Sequence, residues 1–241
     1  DILAPPSKPA KAELAEELIT SRYDAVLVHS DPQGTTLDQS WPVSDALAAR
    51  LRYTGYVTQP PPKPHPDATG SGDILVSAGG GAVGTDLFNT AIAAARQMPD
   101  RRWRLLVAGD DDRINALRVL ATDSNTIVEP ARPDFRSLMT HAAASISLCG
   151  YNTAMDVLQT RIPAVFVPFD DGNEVEQSLR AESLAPLSGI AVLKTADLTP
   201  SALVQAVKGV MAEAPRATDR FRFDGAARTV EIAAELAGDR R

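Results

Sequence analysis

Three turns in this sequence carry the groups that could do chemistry. Residues 79–84 form a glycine-rich turn after one apolar run, and a Gly-Tyr-Asn-Thr turn at 150–153 follows a second. Glycine lets a backbone approach a phosphate closely, and the start of a following helix offers N–H donors and a positive dipole. A third apolar run leads into the polar residues 168–177, where Glu176 and Gln177 can hydrogen-bond sugar hydroxyls. These residue types favour a ligand that contains phosphate and sugar.

Asp156 extends the second turn into the helix that follows it. It lies three residues after Thr153, so both side chains share one helix face near the positive end of the dipole. A carboxylate there can accept hydrogen bonds from sugar hydroxyls. A structural alternative stays open, because Asn152 and Thr153 can cap the same helix and Glu176 can complement the dipole of its own helix.

The other reactive residue types have structural interpretations. The turn at 79–84 lacks the Gly-Lys-Ser/Thr of a P-loop and departs from the dinucleotide-binding fingerprint, so a tight turn without ligand stays open. The acidic run 110–112 is expected to cap a helix that begins near Arg113 rather than to bind a metal. Cys149 has no His or Asn partner in the pattern and is expected to be a small buried residue. His65 lies in a proline-rich stretch and is expected to be solvated.

Regular alternation of strands and helices after residue 73 predicts how these turns are positioned. Apolar strands that alternate with helices indicate a parallel sheet covered on both faces, which is a doubly wound α/β fold. Such sheets bind ligands at the carboxyl ends of their strands, where all three turns lie. The predicted strands are 74–77, 103–108, 126–129, 145–148, 164–168 and 190–193. The predicted helices are 86–97, 113–120, 135–141, 153–159, 174–184, 200–212 and 226–236.

The first 57 residues form a separate segment. They predict helices at 9–21 and 43–51 and strands at 24–29 and 52–57, which are too few elements to make a complete domain. Five prolines between residues 59 and 72 predict a stiff, extended linker. The predicted organisation is therefore 1–57 as the remnant of a preceding α/β domain, 58–72 as a linker and 73–241 as the site-bearing domain. The start at Asp1, without Met, favours a chain cut from a longer one.

Composition excludes several function classes. With 24 Lys+Arg against 31 Asp+Glu and a net charge of -7, the chain lacks the positive field that attracts nucleic acid. One cysteine cannot form an intramolecular disulfide, and three histidines with one cysteine cannot build a zinc cage from those ligands. No apolar run approaches ~20 residues, so the sequence predicts no membrane span. These features predict a reducing, cytoplasmic location.

The ordered set of turns resembles the donor-binding half of GT-B glycosyltransferases of the family 28 type. The resemblance rests on residues 79–84, on SLCGYNTAMDVL at 147–158, on IPAVFVPF at 162–169 and on EVEQSLRAE at 174–182. It covers residues 22–241 and is similar to the bacterial branch with a Gly-Tyr-Asn-Thr turn. It implies a Rossmann-like domain that holds a nucleotide-diphosphate sugar.

The resemblance also assigns roles by position. The glycine-rich turn would face the diphosphate or the sugar, and the start of the helix after Gly150 would hold phosphate. Asp156 would bind the ribose, although most relatives have Glu there. The loop 129–135 would lie against the base, and Glu176 with Gln177 would bind the donor sugar. The donor-binding residues assigned in this way are Gly80, Gly81, Gly84, Thr85, Arg132, Gly150, Asn152, Thr153, Asp156, Glu176 and Gln177.

The implied activity is transfer of a hexosyl group from a nucleotide-diphosphate sugar, a UDP-sugar by preference, to an acceptor hydroxyl with inversion. No metal or other cofactor is expected, because helix dipoles and N–H groups replace the cation. The acceptor is unknown. The catalytic base is expected in a preceding acceptor domain. We therefore expect this chain alone to bind the donor without transferring sugar. Peripheral membrane association through that acceptor domain stays open.

Three alternatives remain open. One is a natural donor-binding subunit completed by a partner, as in the two-subunit dolichol-linked N-acetylglucosaminyltransferase. The second is a UDP-sugar hydrolase or epimerase on the same fold. The third is a non-catalytic regulator that binds a nucleotide.

Overall fold

Helices and strands alternate along most of the chain. The computed structural model describes residues 2–78, 84–169, 175–217, 219 and 221–238. The α-helices are α1 Pro9–Arg22, α2 Asp45–Ala48, α3 Thr85–Ala95, α4 Asp111–Leu120, α5 Phe135–Met139, α6 Tyr151–Thr160, α7 Glu176–Leu184, α8 Pro200–Ala212 and α9 Gly225–Gly238. The strands are β1 Val26–Val28, β2 Leu51–Tyr53, β3 Ile74–Ser77, β4 Trp103–Val107, β5 Thr126–Pro130, β6 Ala144–Ser147, β7 Ala164–Phe166 and β8 Ile190–Val192. Short 3-10 helices span Leu37–Gln39 and Thr195–Asp197.

The chain divides into two compact units. The sheet unit comprises Pro60–Asn173 and Ala185–Thr218. The N-terminal unit comprises Asp1–Gln59, Glu174–Leu184 and Asp219–Arg241. Helices α7 and α9 therefore group with the first 59 residues, whereas the sequence prediction placed them in the domain 73–241.

The sheet unit is built on six parallel strands in the order β5-β4-β3-β6-β7-β8. The order reverses between β3 and β6, which pair with Ser77 opposite Ser147 at their carboxyl ends. This is the doubly wound α/β fold that the alternating pattern predicts, because right-handed crossovers place the connecting helices on both faces.

Each face of the sheet is buried under its own helices. On one face, side chains of α3, α4 and α8 join Val76, Leu105 and Val165 in a single core cluster. Leu75 and Leu106 are buried on the opposite face, because successive residues of a strand alternate sides. Buried residues of α5 and α6 lie outside the first cluster and cover this second face.

A chain of ion pairs runs along the sheet unit. Asp73, which is 1% exposed, accepts a hydrogen bond from Arg102 Nε at 2.6 Å and another from Arg104 Nε at 2.8 Å. Arg104 Nη1 donates to Glu129 Oε1 at 2.9 Å, and Glu129 lies 3.7 Å from Arg132 Nη1. The charges alternate in sign, so each buried or half-buried charge has an opposite neighbour.

The N-terminal unit has a two-stranded parallel sheet of β1 and β2. Its C-terminal segment is attached through Tyr56, which is buried and whose N–H donates to the Arg222 carbonyl at 2.8 Å. The Tyr56 ring contacts the rings of Phe221 and Phe223 at centroid distances of 6.1 and 6.0 Å. Gly225 begins α9 and donates its N–H to the Tyr56 carbonyl at 3.0 Å.

Several sequence predictions can be compared directly with this fold. Helix α8 spans the predicted residues 200–212, and Asp110 caps α4 as expected by accepting from the Arg113 N–H at 3.0 Å. Most other boundaries shift by one to three residues, and α2 has four residues rather than the predicted nine. None of the described helices combines the length and apolar character of a membrane span.

We expect Asp73→Asn to destabilise the sheet unit by about 3 kcal/mol, because it leaves the buried guanidinium of Arg104 without its shared anion. Urea unfolding in a Trp41→Phe background, where Trp103 is the sole tryptophan, measures the change. Asp100→Asn removes an exposed carboxylate and is the matched control, with an expected change below about 0.5 kcal/mol. Equal effects of the two substitutions would contradict a structural role for the Asp73 pair.

Candidate functional site

The candidate site lies where the strand order reverses. Strands β3 and β6 are neighbours, and helices α3 and α6 follow them on opposite faces of the sheet. Helices that leave in opposite directions open a crevice at the carboxyl ends of the two strands. Two of the three turns predicted to bind ligand come from these strands.

Gly84 shapes the first turn. It is the N-cap of α3 with φ +108°, and an added Cβ would lie 2.2 Å from Ala78 Cβ. Both the backbone angle and the space therefore require glycine. Thr85 begins α3, and its hydroxyl lies 3.4 Å from Arg113 Nη2. The predicted site residues Gly80 and Gly81 lie outside the described residues.

A cavity of about 510 Å³ opens beside Gly84. Apolar side chains form most of its walls. The hydroxyls of Thr85 and Thr195 and the carboxylate of Asp86 add polar groups. We call it the Gly84 cavity. It is lined by Gly84, Thr85, Asp86, Leu87, Leu148, Val167, Pro168, Phe169, Thr195 and Leu198.

Gly150 shapes the second turn in a different way. It is the N-cap of α6 and, as a glycine, has no side chain with which to cap this helix. The structural alternative, in which Asn152 or Thr153 caps this helix, does not hold, because α6 begins at Tyr151 and both residues lie inside its first turn. A Cβ added to Gly150 would meet nothing within 4 Å. Among the residues that the structure describes, none therefore fills the space beside Gly150, where a group that needs N–H donors could lie.

A second pocket, of about 170 Å³, brings three of the predicted residues together. Arg132, Thr153 and Asp156 lie in its wall with groups from β3, β4 and α5. We call it the Asp156 pocket. It is lined by Ser77, Leu106, Ala131, Arg132, Phe135, Thr153 and Asp156.

Asp156 is held by an arginine that the sequence prediction did not include. Arg136 Nε donates to Asp156 Oδ1 at 2.6 Å, and both side chains are largely buried. Burial raises the pKa of the Asp156 carboxyl, while the nearby Arg136 guanidinium acts in the opposite direction. Within the described part of the chain, no donor lies within hydrogen-bond distance of the other oxygen, Oδ2.

Arg132 is also held in place. Its Nε and Nη2 donate to Asp134 at 2.8 and 2.6 Å, and this pairing lowers the pKa of Asp134 to about 2. His65 Nε2 lies 3.1 Å from Asp134 Oδ2, and the His65 side chain is 10% exposed. The expectation that His65 is solvated is therefore wrong, because the proline-rich segment folds this side chain against Asp134.

Glu176 and Gln177 begin α7 in the N-terminal unit. Glu176 pairs with Arg180, one turn later on the same helix, whose side chain is buried. The sheet unit thus brings together Arg132, Thr153 and Asp156, but not these two residues, whose role toward a sugar stays a prediction.

Two further predictions concern individual residue types. Cys149 is buried, as expected of a small core residue. Among the residues that the structure describes, no three His, Cys, Asp or Glu side chains are grouped so that they could hold a metal ion.

Sequence reasoning missed Leu106 and Arg136 around the Asp156 pocket. Phe135 ends the loop 129–135 that was expected against the base, and Arg136 follows it directly in α5. Extending that loop by one residue could therefore have included Arg136. Arg136 contacts Asp156 across 20 residues, and no local pattern in the sequence indicates such a contact.

Comparison with known proteins supplies the family. Residues 75–234 match the model of the glycosyltransferase family 28 C-terminal domain. A UDP-N-acetylglucosamine--N-acetylmuramyl-(pentapeptide) pyrophosphoryl-undecaprenol N-acetylglucosamine transferase of Brucella canis is 29% identical over 186 residues, which are 72% of this chain and 48% of that protein. The chain spans about half the length of the curated relatives it matches.

Solved structures support the fold. The calicheamicin glycosyltransferase CalG4 superposes with a TM-score of 0.60 at 18% identity, covering 96% of this chain and 60% of CalG4. MurG of Acinetobacter baumannii superposes with a TM-score of 0.57 at 19% identity, covering 84% of this chain and 60% of MurG. Both are glycosyltransferases, and at these identities they show the shared GT-B architecture alone.

The two glycines of the site differ in how much a substitution by alanine should destabilise the protein. We expect Gly84→Ala to cost about 3 kcal/mol, because a Cβ there meets Ala78 and the positive φ is strained. Gly150→Ala adds a Cβ in open space at an extended residue, so its expected cost is below about 0.5 kcal/mol. Urea unfolding of both variants is the measurement, and a destabilising Gly150→Ala would contradict the open space in front of α6.

Proposed function

Because the chain belongs to the glycosyltransferase family 28 C-terminal domain family, we propose that it binds the nucleotide-sugar donor of a glycosyltransferase. The observation that carries the proposal is the Asp156 pocket, which adjoins the first turn of α6 at the strand-order reversal. The whole protein would transfer a hexosyl group from this donor to an acceptor hydroxyl, with inversion at the anomeric carbon.

The proposal assigns the nucleoside to the Asp156 pocket. Arg132 and Phe135 form walls that suit a base, because an arginine plane and an aromatic ring can both stack on one. Asp156 would accept hydrogen bonds from the ribose hydroxyls. Its side chain projects from the same helix whose start faces open space.

The diphosphate would lie at the start of α6. The backbone N–H groups of Asn152 and Thr153 precede the hydrogen bond that the Ala154 N–H donates to the Gly150 carbonyl at 3.0 Å, and the helix dipole favours an anion there. Gly150 leaves room for a phosphate to approach these donors. Gly84 and Thr85 lie at the start of α3, which follows the neighbouring strand β3. Together, the starts of α3 and α6 would stabilise the departing diphosphate without a metal ion.

The donor is assigned by its nucleotide and by its sugar. A UDP-sugar is favoured over other nucleotide sugars because the curated relatives carry UDP-N-acetylglucosamine in their names. Glu176 and Gln177 would bind the donor sugar, which is supported by their position in the family pattern. The proposal leaves the acceptor unspecified and needs a catalytic base from elsewhere in the whole protein.

Calorimetric titration with UDP, TDP and GDP tests nucleotide binding. We expect UDP to bind. The substitution Asp156→Asn should weaken the affinity for UDP about tenfold, because an ionised acceptor for the ribose hydroxyls is lost. Asp100→Asn changes the net charge equally at an exposed position and should leave the affinity unchanged. Failure of all three nucleotides to bind would refute the proposed function.

Gly150→Ala tests the phosphate site separately. We expect it to weaken UDP about tenfold, because the new Cβ occupies the space in front of the α6 N–H groups. Uridine lacks phosphate, so its affinity, measured by competition, should stay unchanged. An equal loss of affinity for UDP and for uridine would show that the substitution does not act on the phosphate site, and would contradict the assignment of the diphosphate to the start of α6.

A further inference from the structure

Arg136 holds the proposed ribose-binding carboxylate by one oxygen. Its Nε donates to Asp156 Oδ1 at 2.6 Å, and the pair is largely buried, with side chains 20% and 16% exposed. Asp156 lines the Asp156 pocket, and Oδ2 has no donor in the described ranges of the chain. One oxygen is therefore bound by Arg136, while the other has no donor among the described residues.

The Arg136 guanidinium is itself fixed from two further directions. Its Nη2 donates to Gln159 Oε1 at 2.8 Å and to the Pro60 carbonyl at 3.1 Å. Gln159 lies on α6 one turn after Asp156, and Pro60 begins the proline-rich part of the sheet unit. A planar guanidinium bound at several edges loses little freedom when it orients a carboxylate. Such support holds a binding group in one geometry before the ligand arrives.

We propose that Arg136 is a positioning residue for nucleotide recognition, which orients Asp156 so that Oδ2 accepts a hydrogen bond from the ribose 2′-hydroxyl. The inference rests on the proposed function, because it takes the Asp156 pocket as the nucleoside site. It adds a specificity mechanism: the chain selects ribonucleoside diphosphates over 2′-deoxyribonucleoside diphosphates through a carboxylate that a second residue aligns.

The charge on Asp156 gives the inference a second consequence. Among the described residues, the charged groups that face Asp156 are Arg136 from α5 and Arg132 from the loop after β5, whereas Ser77 of β3 and Leu106 of β4 are uncharged. Burial raises the pKa of the Asp156 carboxyl, and Arg136 opposes this rise. Without Arg136 the carboxyl takes up its proton at a higher pH, so UDP affinity should decline sooner as pH falls.

The experiment compares UDP with 2′-deoxy-UDP by calorimetry on the full chain. The ribose 2′-hydroxyl would donate to the charged Asp156 carboxylate. We therefore expect the unsubstituted protein to bind UDP about tenfold or more tightly than 2′-deoxy-UDP. We expect Arg136→Met to reduce this preference to about threefold or less. Arg136→Lys should give an intermediate value, because lysine keeps the positive charge but not the planar guanidinium with its several N–H donors. Arg96→Met removes an exposed arginine that bonds backbone carbonyls and is the matched control.

The outcomes separate the inference from a purely structural role. An arginine that merely joins α5 to α6 would lower the melting temperature in Arg136→Met but leave the ratio of the two affinities and its pH profile unchanged, and that result would overturn the inference. Equal affinities for UDP and 2′-deoxy-UDP in the unsubstituted protein would overturn it while leaving the proposed function intact. Absence of UDP binding would refute both. If Arg136→Met does not fold, the ratio in Arg136→Lys decides.

Discussion

Parallel pairing of β3 with β6 is the constraint on which the candidate site depends. Parallel strands of one sheet end at the same edge, so Ser77 and Ser147 lie opposite each other although they are far apart in sequence. Because the strand order reverses there, the two following helices diverge and leave their N-termini beside an open edge. The pockets described above adjoin this edge.

Charge complementarity extends from the sheet interior to this edge. The buried pairing of Asp73 with Arg104 is followed by Glu129, and Glu129 lies beside Arg132, which lines the Asp156 pocket. Each carboxylate in this series keeps the next guanidinium in place. An overall excess of acidic residues is therefore compatible with a locally organised set of arginines around a small anionic ligand.

The sequence was informative wherever a local pattern decides the structure. Apolar strands alternating with helices predicted the doubly wound sheet, and the short-range cap of Asp110 on α4 was predicted correctly. Contacts between distant residues were not predictable in this way. The pair of Arg136 with Asp156 and the contact of His65 with Asp134 join residues 20 and 69 positions apart, and neither belongs to a periodic pattern. The alternative in which Asn152 or Thr153 caps α6 rested on the frequency of Asn and Thr at helix caps, whereas the chain uses Gly150 there.

The grouping of α9 with the first 59 residues has a consequence for the order of events during synthesis. All strands of the six-stranded sheet precede residue 193, so the sheet unit has its complete hydrogen-bonding ladder before the last helix leaves the ribosome. Tyr56, in contrast, meets Phe221, Phe223 and Gly225 only when the end of the chain has emerged. The N-terminal unit, which precedes the sheet unit in the sequence, is therefore completed after it, and until then the buried Tyr56 lacks the aromatic contacts of Phe221 and Phe223.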